Sequence, residues 1–303
     1  MANFDRLKIA LQYIAPKHFM SRAMGKFASA EAGWFTRTFT QWFVNRYNVD
    51  MSEAAEPDFR QYPTFNAFFT RELKADARPL LANEGQLAHP VDGTVSQLGP
   101  IQGDSIVQAK NHDYSMQALL GGDKALAQEF HNGTFATIYL APRDYHRIHM
   151  PLTGTLRQMI YVPGDLFSVN PFTADNVPNL FARNERVVAV FDSANGPFAM
   201  VLVGATIVAS IETVWAGTVT PPTGPCVHTW EYPNAGLNKI ELDIGAEMGR
   251  FKLGSTVVLV FPENMVEFTE SLAPGVVTRM GSVFGELKGQ QPSTTNSNTK
   301  VAE

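Results

Sequence analysis

The sequence predicts an α+β fold, with N-terminal amphipathic helices packed on a mainly antiparallel, β-rich core of sandwich or barrel type. Three observations lead there. Up to about residue 75, apolar side chains recur at helical spacing: Phe4, Leu7, Leu11 and Ile14, then Phe35, Phe39, Trp42 and Phe43. Beyond Leu81 the pattern changes to short runs of β-branched and aromatic residues. Gly, Pro, Asn and Asp separate those runs and few long helical patterns remain among them, so antiparallel pairing is expected.

Taken in order, the helices should break near Pro16 and Pro57. A last helix runs through Phe65-Asn66-Ala67-Phe68-Phe69, opened by Thr64 as its N-cap. Strands are expected over 94–96, 134–140, 154–162, 186–191, 198–211, 239–244 and 256–261. Turns fall at Pro163-Gly164-Asp165 and Pro221-Pro222-Thr223-Gly224. Residues 289–298, rich in Gln, Ser, Thr and Asn, should be disordered. The chain thus divides into a helical region over 1–75, a β-rich core over 76–285 and a tail over 286–303. No internal repeat is present.

At 303 residues, with 45% apolar and 17% charged residues, the chain can bury a sizeable core. Its single cysteine, Cys226, excludes an internal disulfide and reads as a small buried hydrophobe. The net charge of −5 hides an asymmetry, since residues 1–50 carry seven Lys/Arg against three Asp/Glu. A basic N-terminal segment therefore precedes an acidic body, and no nucleic-acid partner is expected. Basic amphipathic helices can lie on an anionic bilayer, apolar groups in the interface and Lys/Arg against the headgroups. They can equally form a helical layer packed on its own core. A signal peptide is ruled out, because Gln12, Lys17, His18, Arg22 and Lys26 interrupt any continuous apolar region. The uncharged stretch between Asp192 and Glu212 opens with a turn at Asn195-Gly196-Pro197 and is rich in Val and Ile, so it reads as buried strand. If the protein meets a membrane, it lies on it without crossing.

The chemistry centres on Phe251-Lys252-Leu253-Gly254-Ser255-Thr256, which runs into Val257-Val258-Leu259-Val260-Phe261. Gly-Ser-Thr before a strand is ordinarily a turn. A serine held beside a glycine carbonyl can also attack its own backbone, since glycine presents no side chain and tolerates strained dihedrals. Asp92, His149 and Ser255 have the types needed for proton transfer: a weak nucleophile, an imidazole base and a carboxylate to orient it. His146 precedes His149 by three positions, and no third ligand at recognisable spacing makes the pair a metal site.

Several segments carry a closer likeness. They are Pro90-Val91-Asp92-Gly93-Thr94-Val95, then Pro142-Arg143-Asp144-Tyr145-His146-Arg147-Ile148-His149-Met150-Pro151, and Tyr161-Val162-Pro163-Gly164-Asp165-Leu166-Phe167-Ser168-Val169-Asn170. Leu180-Phe181-Ala182-Arg183-Asn184-Glu185-Arg186 and Val203-Gly204-Ala205-Thr206-Ile207-Val208-Ala209-Ser210-Ile211-Glu212 follow, before Leu253-Gly254-Ser255-Thr256. In order and character, residues 3–283 resemble the phosphatidylserine decarboxylases of the bacterial and mitochondrial type.

The resemblance implies autocatalytic cleavage between Gly254 and Ser255, with His149 as base and Asp92 as its partner. Ser255 would become a covalent pyruvoyl cofactor, and chains 1–254 and 255–303 would stay associated. The activity implied is decarboxylation of phosphatidylserine to phosphatidylethanolamine and carbon dioxide, with His146 or His149 as proton donor and no metal. It further implies a homo-oligomer, peripheral on the cytoplasmic face of a bacterial cell membrane, the helical region meeting the lipid. Three alternatives stay open. A serine hydrolase would keep its chain intact, although Ser255 lacks the Gly-x-Ser-x-Gly elbow. A non-enzymatic lipid-binding module would show neither cleavage nor carbon dioxide release. A pyruvoyl enzyme for a small amino acid would share the chemistry without the lipid.

Overall fold

A computed structural model describes residues 9–109, 112–206, 210–220, 225–252 and 255–288. Phe4 and Leu7 of the first helical pattern, residues 207–209 of an expected strand, the 221–224 turn, Gly254 of the expected cleavage pair and the 289–298 tail segment lie outside the described residues.

The N-terminal part is helical over residues 9–14, Lys17–Ala28, Trp34–Tyr47 and Phe65–Phe69. Pro16, which has no N–H to contribute, occupies the cap of the second segment. Asn48, at φ 52°, ends the third in the left-handed region that asparagine tolerates, its N–H bonding back to the Val44 carbonyl. The Thr64 hydroxyl accepts the Ala67 N–H at 3.0 Å, which makes it the cap the sequence indicates. Ala28, Phe43, Val49, Phe65, Phe68 and Phe69 form a small core of their own. Its rings meet edge to face, as Phe43 does with Phe65 at 5.0 Å between centroids. On the outer side Ile14, Phe19, Trp34 and Trp42 stay exposed, at 80, 73, 74 and 53%. The helical layer thus has one face packed on itself and another left apolar and open.

The body is built on a large antiparallel sheet. Its order is His228–Glu231, Gly154–Val162, Arg186–Ser193, Gly196–Val203, Ser255–Phe261, Thr134–Leu140, Gly93–Pro100, Val277–Thr278, with Glu241–Leu242 also on Gly154–Val162. The alternation of side chains across a strand sorts its residues onto two faces. Val258 and Val260 point into one core, with Phe135, Phe167 and Phe181. Val257, Leu259 and Phe261 point into the other, with Ile148, Met150, Met248 and Phe251. That second core is closed by a smaller sheet ordered Gly217–Thr218, Ser210–Thr213, Glu247–Lys252, Arg147–His149. The architecture is α+β with an antiparallel sandwich, and among the described residues no sheet closes into a barrel.

Four expectations need correction. Residues 198–211 are not one strand: Gly196–Val203 belongs to the large sheet and Ser210–Thr213 to the small one. Gly204 N–H still bonds the Glu185 carbonyl next to the Arg186–Val203 pair, whereas Thr206 N–H bonds the carbonyl of Phe167, so the chain is drawn off the sheet after Gly204. The strand expected over 239–244 shortens to Glu241–Leu242, which pair with Thr155 and Gly154. Glu286 and Leu287, assigned to the tail, end the strand Val283–Leu287, which is paired on both edges. Cys226 is exposed.

Phe68 is fully buried whereas Trp34 is not, so Phe68→Ala should cost about 3–5 kcal/mol in urea unfolding. Trp34→Ser should stay within about 0.5 kcal/mol of the parent protein.

Candidate active site

Ser255 opens a strand paired on both sides. It faces Leu140 on one edge, and on the other Thr256 faces Val203, which places Ser255 beside Gly204. Its side chain alternates with Thr256 and so shares a face with Val257, Leu259 and Phe261, looking toward the core under the small sheet. The residue is fully buried, and its hydroxyl has no hydrogen-bond partner among the described residues. Buried polar groups are nearly always satisfied, so a bare serine hydroxyl at a sheet end calls for a chemical explanation. His146 Nδ1, Ser210 Oγ and Thr256 Oγ1 are likewise buried and without hydrogen-bond partners among the described residues.

Asp92 precedes the strand Gly93–Pro100, on the far side of Thr134–Leu140 from Ser255. Gly93 pairs with Thr278, and a Cβ there would stand 2.5 Å from the Tyr139 carbonyl oxygen, so only glycine fits beside Asp92. The Asp92 carboxylate accepts from Arg78 Nε at 2.9 and 3.0 Å and from the Met280 N–H at 2.8 Å. Arg78 also bonds Glu53 at 2.7 Å, and this partnership holds the Glu53 carboxyl below its ordinary value. Burial of Arg78 opposes its charge, but the two carboxylates outweigh that and raise its pKa.

The two histidines sit in the segment that follows Leu140. His149 N–H bonds the Pro90 carbonyl at 2.8 Å, which sets it beside the Asp92 turn. Its Nδ1 lies 2.8 Å from the Gly245 carbonyl and its Nε2 lies 3.2 Å from Tyr145 Oη. A carbonyl can only accept, so Nδ1 carries the proton and Nε2 takes the tyrosine O–H. That tyrosine is held protonated, its pKa pushed up to about 12 by burial. Burial lowers the His149 pKa, against the pull of the Gly245 hydrogen bond and of the Glu247 and Asp92 charges. His146 is fully enclosed and stacks on Phe69 at 4.1 Å between ring centroids. Its Nε2 donates to the Ala141 carbonyl at 3.0 Å, leaving Nδ1 as a free lone pair. Burial, reinforced by Arg71, pushes its pKa down to about 3.

The four residues gather at one end of the sandwich, yet not as a preformed relay. Asp92 is joined to Arg78 and His149 to Tyr145 and Gly245, and neither bonds Ser255 among the described residues.

A family model described as phosphatidylserine decarboxylase matches residues 65–286, and a second, described as PSD, matches residues 7–48. A phosphatidylserine decarboxylase proenzyme of Idiomarina loihiensis is 62% identical over 288 residues, covering 95% of this chain and 99% of that protein. Proteins of the same name from Shewanella denitrificans and Photobacterium profundum are 64% and 62% identical, covering 93% and 95% of this chain and 98% and 99% of theirs. The chain belongs to the phosphatidylserine decarboxylase family.

Other residues of this family member surround the site without having stood out in the sequence. Arg78 and Glu53, with Arg279 on Glu53 at 2.7 Å, form the charged network around Asp92. Arg71 is buried, and its Nε and Nη1 have no partners among the described residues. It lines a cleft of about 200 Å³ with Arg78, Asp92, Asp144 and Tyr145. Nothing in their spacing marks them, since scattered arginines are ordinarily solvated. Of the residues lining the cleft, Asp92, Arg143, Asp144 and Tyr145 stand inside motifs of the sequence.

The depressed pKa of His146 makes a definite acid response. An unfolded histidine titrates near 6.5 while the folded one stays neutral to about 3. Between those values the unfolded chain binds the extra proton, so stability is present above pH 6.5 and lost as the pH falls through that window. His146→Phe removes the titrating group, so its stability should fall less steeply than the parent's in urea unfolding at pH 7, 6 and 5.

Proposed function

We propose that the chain is a self-processing phosphatidylserine decarboxylase whose cofactor is a pyruvoyl group made from Ser255. The buried Ser255 hydroxyl, directly after a glycine and without a hydrogen-bond partner among the described residues, carries this reading. In the precursor the Ser255 Oγ would attack the Gly254 carbonyl, with His149 taking its proton and Asp92 favouring the charged imidazole. To act, His149 must exchange Tyr145 for Ser255 at Nε2, a change of partner for one buried ring. The C–N bond between residues 254 and 255 breaks as the ester forms. Loss of the Ser255 α-proton then expels the Gly254 carboxylate, and hydrolysis of the resulting dehydroalanine releases ammonia and leaves the ketone.

Once formed, the group supplies an electrophilic carbonyl that can join an amine and accept the electron pair freed when carbon dioxide leaves. The protein's own residues do the remainder. The core around Val257 and Phe251 excludes water, and the pairing of Ser255 with Leu140 fixes the reacting position. His146 is assigned to move the proton that replaces the lost carboxylate, because its Nδ1 is the histidine nitrogen of the pair without a partner among the described residues.

A lipid substrate supports the reading that the protein lies on the cytoplasmic face of the membrane through its helical layer. Among the described residues no helix is long and apolar enough to cross a bilayer. Ile14, Phe19, Trp34 and Trp42 supply an open apolar face, and Lys26, Arg37 and Arg46 lie on the same helices.

Denaturing intact mass spectrometry should find chains 1–254 and 255–303, the smaller carrying a ketone in place of its terminal amine. A single unbroken chain would refute the reading. Ser255→Ala should abolish both cleavage and activity, and His149→Ala should slow cleavage by roughly 10²–10⁴-fold, the range for loss of a general base. Phe19→Ser combined with Trp34→Ser should cut flotation with anionic vesicles by roughly tenfold or more while leaving folding intact. Undiminished flotation would assign that face another role.

A further inference from the structure

The two sides of Ser255 are unlike each other. Toward Asp92 the next strand places Leu140 directly beside it. Toward the other side the pairs end at Thr256–Val203 and Arg186–Val203, and one further step in each register leads to Ser255 and to Glu185 on either side of Gly204. The Gly204 N–H bonds the Glu185 carbonyl at 2.9 Å, which fixes that last pair. In that register Ser255, Gly204 and Glu185 fall in one row at the end of the sheet, and two strand spacings would set the outer two about 9–10 Å apart. Alternation places Glu185 on the face of Val187, Ala189 and Phe191, the face of Ser255, Val257 and Leu259. Between them stands only a glycine, so on this side the ground next to Ser255 carries no side chain.

Glu185 is 7% exposed, and among the described residues its carboxyl forms no ion pair or hydrogen bond. The charged and titratable groups around it are few. Arg22, on the helix Lys17–Ala28, acts on it electrostatically, and it acts in turn on Tyr161. Asp165, whose carbonyl accepts the Glu185 N–H, is itself paired with Lys17 and Arg183. A largely buried carboxylate is costly unless a cation meets it, and one in register with a reaction centre is best explained by a cation that arrives there. In the proposed reaction the substrate's headgroup brings a cation to residue 255, its ammonium.

We infer that Glu185 receives the ammonium of the substrate's serine headgroup and takes one of its protons. The N–H bond breaks, its proton passes to the carboxylate, and the nitrogen lone pair is freed to bond the carbonyl carbon at residue 255. This rests on the decarboxylase reading above and adds the base that prepares the amine. Burial pushes the Glu185 pKa up to about 7, against the pull of Arg22, so near neutrality the group can both accept and release a proton.

The test uses the mature protein reduced with borohydride, in which residue 255 can no longer form an imine. Binding of glycerophosphoserine and of its N-acetyl derivative is compared by calorimetry. The reduced parent should prefer the free amine by about tenfold, as loss of one charge-assisted contact implies. That preference should fade as the pH drops below about 7 and Glu185 is protonated. Glu185→Gln should erase both the preference and its pH dependence, while Glu185→Asp should keep part of each. If the reduced parent binds neither compound, the inference falls together with the headgroup reading of the site. If it binds both equally, or if Glu185→Gln still prefers the free amine, the Glu185 assignment alone falls. It falls also if Glu185→Gln fails to cleave at residue 254, since the carboxyl would then act in maturation.

Discussion

Everything at the reactive end depends on the strand Ser255–Phe261 being paired along both edges. Seven consecutive residues pair with Thr134–Leu140 on one side, and five pair with Gly196–Val203 on the other. That ladder sets the height of Ser255 in the sheet and the face on which it looks out. It also determines what lies beside it, a leucine toward Asp92 and a glycine toward Glu185. A slip of one residue would turn the hydroxyl to the opposite face, among Val258 and Val260.

The charges are arranged around this frame with little redundancy. Arg78 ties Asp92 to Glu53, and Arg279 ties Glu53 to the segment before the last strand. Residues far apart in sequence are therefore held at one corner of the site. The histidines are held the other way, by desolvation, which favours the neutral form of both; the His146 Nδ1 lone pair has no partner among the described residues, and that of His149 Nε2 takes the Tyr145 O–H. His146 also joins the layers, stacking on Phe69 from the helical core while bonding the Ala141 carbonyl beside the sheet. The helical part is thus coupled to the chemistry through ring contact as well as through its place in the chain.

Much of this was legible in the sequence, for physical reasons that can be named. The strand 255–261 announced itself as an unbroken apolar run, because both of its faces are buried. The strands 154–162 and 134–140, and the Thr64 cap, were equally plain. Less legible was the break within 198–211, since hydrophobicity is continuous there and only the bond from Thr206 to Phe167, just after Gly204, shows where the chain leaves the sheet. Short strands such as Glu241–Leu242 depend on finding a partner, which no local pattern encodes. Within the site, Asp92, His149 and Ser255 stood out by residue type and motif. Arg78, Glu53 and Arg71 did not, because what distinguishes them is burial and company, properties of the folded chain. That Asp92 bonds an arginine while His149 bonds a tyrosine was likewise beyond reach of spacing alone.

The double pairing of the strand after Gly254 also changes what kind of object the protein is. Before cleavage, that strand finds its place as part of one continuous chain, at the modest entropic cost of closing a loop. After cleavage at residue 254, the same strand would belong to a separate polypeptide, held by backbone hydrogen bonds on two sides and by the cores on both faces. Its association would then depend on concentration, as in any two-component assembly, although the folded form itself would be unchanged. The intact precursor would serve as its own template, and a mature molecule once unfolded and diluted would have lost the means of finding its way back.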